Sequence, residues 1–212
     1  MNHMKTIDDY LKELSSSSPT PGGGNVSAFC GALASSLALM VCNLTIGKKK
    51  YAEVENTMQE LKLKFETYQK KFIELSEKDN EAFNSVMEAY KLPKDTDEQK
   101  ETRSKKIEEA TFNSAEIPSE VIKTCYEMMP LIKDISEKGN VNSISDAGVA
   151  ALLISLAAEG AYLNVLINCN ALTNQTLANE LRKQVGILLQ EVTSNARLIN
   201  QTIISKLSSK AN

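Results

Sequence analysis

The sequence predicts an all-α protein: an up-and-down bundle of about six helices, built around long uncharged core helices, that dimerises. Three observations lead there. Apolar residues recur at steps of three and four through most of the 212 residues, and nowhere do they alternate as in a strand. Aromatics are few, five Phe and six Tyr with no Trp, while Ala, Leu, Ser, Lys and Glu abound, a composition that favours helices. Two long stretches carry almost no charge, and a helix without a charged face has to be covered on every side. Those two helices are expected to meet in the middle of the bundle or across a subunit interface, most simply in a homodimer. The length suits one domain spanning residues 1–212.

The elements follow in order. An amphipathic helix from about Lys5 to Leu14 sets Ile7, Tyr10, Leu11 and Leu14 on one stripe, and the serine run Ser15 to Ser18 with Pro19 and Pro21 stops it. Gly22, Gly23 and Gly24 open an uncharged helix that ends near Gly47, followed by Lys48, Lys49 and Lys50. A third helix, about Tyr51 to Tyr90, carries Val54, Met58, Leu61, Phe65, Tyr68, Phe72, Leu75, Asp79, Ala82 and Val86 at heptad spacing, with Asp79 the one charge on that stripe. Residues 92–99 form a loop in which Pro93 breaks the helix and Thr96 caps the next.

From Asp97 to Lys138 the stripe is Ile107, Ala110, Ser114, Ile117, Val121, Cys125, Met128 and Ile132, and Pro118 and Pro130 are expected to bend or divide the helix. Gly139 and Asn140 are expected to end it in the left-handed conformation. The second uncharged helix runs from about Ser145 to Asn170, with Glu159 its only charge after Asp146. The last, about Thr173 to Leu207, has a stripe at Leu177, Leu181, Val185, Leu188, Val192, Ile199 and Ile203.

Composition also excludes. A net charge of −3 without a long basic block gives no reason to expect nucleic acid. The cysteines Cys30, Cys42, Cys125 and Cys169 show no CxxC spacing and the sole histidine is His3, so no metal site of Cys and His is expected. Reduced, buried thiols of a cytoplasmic protein are the expectation. Val26 to Ile46 is long enough to span a bilayer, but its hydroxyls and amides, the lack of an aromatic belt and the short run before Asp8 and Asp9 argue against a membrane span or a signal peptide.

Several residues are candidates for chemistry. Three backbone amides at Gly22, Gly23 and Gly24 suit either close approach to an anion or carbonyl group, or a plain tight turn. Lys48, Lys49 and Lys50 read first as a solvated run balancing the helix dipole, and otherwise as a site for a substrate with several carboxylates. An ionised Asp79 on a buried stripe needs either a lysine partner or a function. Asp146, in SISD at 143–146, reads first as part of a helix cap. Asn164 and Asn168, four apart, suit an interhelical hydrogen bond or recognition of a polar heterocycle, and both readings stay open.

PTPGGGNVSAFCGALASSLALMVCNLTIGKKKY at 19–51, KDNEAF at 78–83, KLPKDT at 91–96, GNVNSISDAGVAA at 139–151 and GAYLNVLIN at 160–168 together resemble the cyclodeaminase part of formiminotransferase-cyclodeaminase and its stand-alone bacterial relatives, the cyclodeaminase/cyclohydrolase family of folate one-carbon enzymes. The blocks occur in the family's order over nearly the whole chain, and Asn25 departs from the serine usual after the glycines. The resemblance implies a helical dimer that binds tetrahydrofolate derivatives, possibly polyglutamylated ones, and needs no other cofactor. It does not extend to the transferase part, so a formimino substrate is expected to come from a separate protein. The activity implied first is closure of 5-formiminotetrahydrofolate to 5,10-methenyltetrahydrofolate with loss of ammonia, in histidine or purine breakdown. Methenyltetrahydrofolate cyclohydrolase is the alternative, and a non-catalytic folate-binding dimer the reading from another class. With no imidazole in the body of the chain, acid/base work is expected to fall to Asp79 and Asp146, with Lys49 as proton donor and Asn140 and Asn164 as orienting amides. Gly22, Gly23, Gly24, Asn25 and Lys48 would hold the pterin or the glutamate tail.

Overall fold

The computed structural model describes residues 6–209; His3, and Lys5 at the expected start of the first helix, lie outside them. Among the described residues there are six α-helices and no strand: α1 (Ile7–Leu14), α2 (Gly23–Thr45), α3 (Glu55–Lys91), α4 (Asp97–Lys138), α5 (Ile144–Ala171) and α6 (Gln175–Ser208). Short 3-10 turns, Lys49–Val54 and Val141–Ser143, lead into α3 and α5. The expected third helix thus starts later than Tyr51, whose backbone is non-helical (φ −115°, ψ 19°).

The two uncharged helices do meet in the middle. α2 packs chiefly on α3 and α5, and α5 also on α4 and α6, so α2 and α5 lie side by side between α3 and α6 with α4 behind them. They run antiparallel: Gly23 lies beside Asn164 at one end, and Thr45 bonds Asn140 at the other. Small side chains permit the close approach, with Ala28, Ala34, Ala38, Ala150, Ala157 and Ala161 fully buried. A Cβ on Gly31 would sit 2.5 Å from the Phe72 ring. The sides of α2 and α5 turned away from the bundle stay uncovered, exposing Leu33 and Leu44 on α2 and Leu152, Leu156, Leu163 and Ile167 on α5. Both helices are long and apolar enough to cross a membrane by length and composition; here each has one side sealed into a bundle whose other long helices are rich in charge.

Of the bend or division expected at its prolines, α4 shows no division, running as one helix through Pro118 and Pro130. Proline at 118 leaves the Ser114 carbonyl without its helical donor, and Asn168 of α5 supplies one, Nδ2 to Ser114 O at 2.9 Å. Gly139 ends α4 in an extended conformation (φ −71°, ψ 175°), and the turn is built instead on size: a Cβ there would lie 2.8 Å from Val41 Cγ1. The left-handed residue is Gly47, φ 76°, just beyond α2.

α3 and α4, with 37 and 42 residues, outrun α2 and α5, with 23 and 28. At 1.5 Å per residue the excess is roughly 20 Å. The α3 stripe accordingly loses its cover past Asp79: Ala82 and Val86 are only half-buried, and Ala89 is the one buried residue after Ser76. This two-helix arm is closed by the expected Thr96 cap, a capping box with Gln99, and by Arg103 donating to Tyr90 O at 3.0 Å. The four cysteines are free, three of them buried, and burial pushes the Cys42 thiol up to about 12.

Candidate active site

Gly22 caps α2 in an extended conformation (φ −126°, ψ −162°), and Gly23 and Gly24 are its first helical residues. None of the three has positive φ, and size requires glycine most plainly at Gly24. A Cβ on Gly24 would lie 2.6 Å from Asp79 Cγ and 2.8 Å from Oδ2; one on Gly23 would lie 3.5 Å from Asn164 Nδ2. Asp79 from α3 and Asn164 from α5 therefore close over the start of α2 from its two flanks.

Burial pushes the Asp79 carboxyl above its ordinary range, opposed by a hydrogen bond from the Asn25 main-chain N–H. Among the described residues no lysine or arginine contributes, so none of them supplies the ion pair expected as the alternative for this carboxylate. Asn25, 5% exposed, spans the same junction: its Nδ2 donates to Ser76 O at 2.7 Å and its Oδ1 accepts from Tyr10 Oη at 2.7 Å. Asn164 donates to Gly160 O, one turn back in its own helix, at 2.9 Å. Ser27 donates to Gly23 O at 2.7 Å, packed against Gly160 of α5. One turn from Asn25 and Ser76, a groove of about 390 Å³ opens between α2 and α3, lined by Phe29, Leu33, Gln69, Lys70 and Ile73.

The remaining candidates gather at the other end of α2. Asn140 donates its N–H to Thr45 Oγ1 and its Nδ2 to Leu44 O, each at 2.8 Å, and its Oδ1 accepts from Asn142 N at 3.0 Å, so its polar groups staple α2 to the α5 entrance. Lys48 and Lys49 are exposed beside it. Asp146 is half-buried in the first turn of α5, where the dipole favours it, but the cap expected of SISD does not form: the Ser143 hydroxyl donates to Asn140 O at 3.0 Å instead. Within one chain the structure thus brings Gly22, Gly23, Gly24, Asn25, Asp79 and Asn164 together. It sets Lys48, Lys49, Asn140 and Asp146 a helix length away, about 34 Å for 23 residues. Asn168 serves the α4 proline, and the Tyr10 hydroxyl contact was not foreseen; its signal was a phenol on an otherwise aliphatic stripe.

The fold defines the class. Over 94% of its length the chain superposes on 98% of formiminotetrahydrofolate cyclodeaminase from Thermotoga maritima, with a TM-score of 0.81 and 28% identity. Residues 6–186 match the formiminotransferase-cyclodeaminase family, and the chain belongs to it. It is 42% identical to the methenyltetrahydrofolate cyclohydrolase of Methylorubrum extorquens, across 96% of this chain and 98% of that one. With the formimidoyltransferase-cyclodeaminase of Mus musculus it shares 31% identity, over 92% of this chain and 36% of the longer mouse protein.

Proposed function

We propose that the protein is an enzyme acting on the single carbon carried between N5 and N10 of tetrahydrofolate, with Asp79 moving the protons. The observation that carries this reading is the Asp79 carboxylate, paired with no cation among the described residues, raised by burial and seated directly on the glycine start of α2. Sequence motifs put cyclodeaminase activity first; the 42% identity to a cyclohydrolase along nearly the full length of both chains supports the reverse order, with methenyltetrahydrofolate cyclohydrolase first and formiminotetrahydrofolate cyclodeaminase second.

Both reactions make the same demand. In the cyclohydrolase, water adds to the bridging carbon of the methenyl cation and gives up a proton. The hydroxyl then loses its proton as the bond from that carbon to N5 breaks and N5 gains one, leaving 10-formyltetrahydrofolate and a net proton. In the cyclodeaminase, N10 attacks the formimino carbon and loses its proton, and the amine is protonated and leaves as ammonia. A carboxylate more basic than usual accepts the first proton and returns it, and its negative charge steadies the cationic carbon. The Gly23 and Gly24 N–H groups and the Asn164 carboxamide are donors for the pterin.

The working unit is a homodimer joined through the uncovered face of α2 and α5, where exposed leucines lie on the two helices without charged faces. A twofold axis across the helices sets the Lys48, Lys49, Asn140 and Asp146 end of one subunit beside the Asp79 end of the other. The lysines then face the carboxylates of the glutamate tail and Asp146 joins the site. The test is direct: purified protein is mixed with 5,10-methenyltetrahydrofolate, following loss of its absorbance, and with 5-formiminotetrahydrofolate, following its appearance with ammonia. Acceleration of the first marks the cyclohydrolase and of the second the cyclodeaminase. Folate binding without either leaves the non-catalytic dimer and overturns the proposal.

A further inference from the structure

α1 buries none of its eight residues, and Ile7 and Leu11 are 75% and 53% exposed, so apolar packing gives it little reason to stay on the bundle. Tyr10 nevertheless reaches inward. Its hydroxyl donates to Asn25 Oδ1 at 2.7 Å and its ring packs on Phe29, centroids 5.2 Å apart. Asn25 then makes two contacts with α3: its amide bonds the carbonyl of Ser76, three residues before Asp79, and its main-chain N–H bonds Asp79 itself. The Tyr10 hydroxyl fixes which way that amide faces, because a buried Oδ1 needs a donor.

We infer that Tyr10 is a positioning residue for the acid/base carboxylate, acting through Asn25, and that α1 is a strap carrying it across the start of α2. The inference rests on the role proposed above for Asp79. The chain of contacts sets how α2 lies against α3 at the one point where Asp79 meets Gly24, and it holds the donor that opposes the effect of burial. Among the described residues α2 meets Asp79 through Gly24 and Asn25, and that helix has no ionisable carboxylate or amine along its length. The strap also carries Asp8, Asp9, Lys12 and Glu13, and the Tyr10 phenol is held up by burial and by Cys30 of α2.

Tyr10→Phe keeps the ring on Phe29 and removes only the hydroxyl. The expected result is a fall of about threefold to tenfold in kcat/KM, the size of one lost hydrogen bond, together with movement to higher pH of the rate limb that follows Asp79 ionisation. Leu11→Ala, which weakens α1 but spares the hydroxyl, is expected to leave that limb in place. Loss of rate with an unmoved limb, or no change at all, overturns the inference. Titration of the Asp79 carboxyl carbon by NMR in wild type and Tyr10→Phe is the readout independent of turnover. An identical midpoint in the two proteins sinks the strap even if neither folate is turned over, and a raised midpoint in the variant sustains it when the proposed activity fails.

Discussion

Alanine at position 24 puts the reading of the site to its hardest trial. The added methyl would stand 2.6 Å from Asp79 Cγ, against an ordinary carbon contact of about 3.6 Å, so the carboxylate has to retreat by about 1 Å. The start of α2 cannot give way easily, because Asn25 ties it to Ser76. A displacement of about 1 Å at an acid/base group costs on the order of a hundredfold in rate, and overpacking of this kind about 1–3 kcal/mol of stability. Gly24→Ala is therefore expected to remain folded, with a lowered urea midpoint, and to lose about a hundredfold in kcat/KM in the methenyl absorbance assay. Gly23→Ala is the matched control: its methyl meets Asn164 Nδ2 at 3.5 Å, an ordinary contact, and activity should fall only a few fold. If Gly24→Ala folds and keeps kcat/KM within threefold of wild type, Asp79 is not where the chemistry happens.

Asp79→Asn should abolish turnover and raise stability. A carboxyl whose folded pKa lies above its unfolded value binds more protons when folded, so its contribution falls as pH rises from the unfolded to the folded pKa and stays low above it. Melting curves of the variant should show a higher midpoint at neutral pH, with the gap closing in acid; a lower midpoint would contradict the assignment. Leu156→Glu, on the uncovered face of α5, should convert the dimer to a folded monomer with little activity, as read by light scattering after gel filtration. A wild-type protein of monomer mass removes the interface. Thr96→Ala, at the cap of α4, should cost about 1 kcal/mol in urea melts with no change in kcat/KM, and a large activity loss would mean that the arm takes part in catalysis.

What the sequence discloses depends on how local the cause is. Helix stripes are local, and Val185, Val192, Ile199 and Ile203 of α6 are buried as their spacing required. The Thr96 cap is local too. The division allowed for at Pro118 is absent because the remedy for its missing donor sits 50 residues away at Asn168, a distance no periodicity encodes. Gly139 misled for a related reason: it looked like a conformational stop, and its purpose is to let Val41 of another helix come near. At the site, the glycines, Asp79 and Asn164 could be named from residue type and context, whereas the Tyr10 contact could not, since nothing in an amphipathic octet says what its phenol will touch. The placement of Asn140 and Asp146 far from the glycine start of α2 follows from the antiparallel course of α2 and α5, which sequence order leaves open.

The central position of α2 also bears on how the chain is made. α3, one of its two main neighbours, follows it directly, but α5, the other, begins at Ile144, some 100 residues after α2 ends at Thr45. At about 5–20 residues per second, the ribosome leaves one flank of this greasy segment naked for roughly 5–20 s. Nascent molecules must be sheltered through that interval, and a codon change that slows translation between Glu55 and Lys138 would lengthen it and lower the soluble yield without altering a single atom of the finished protein.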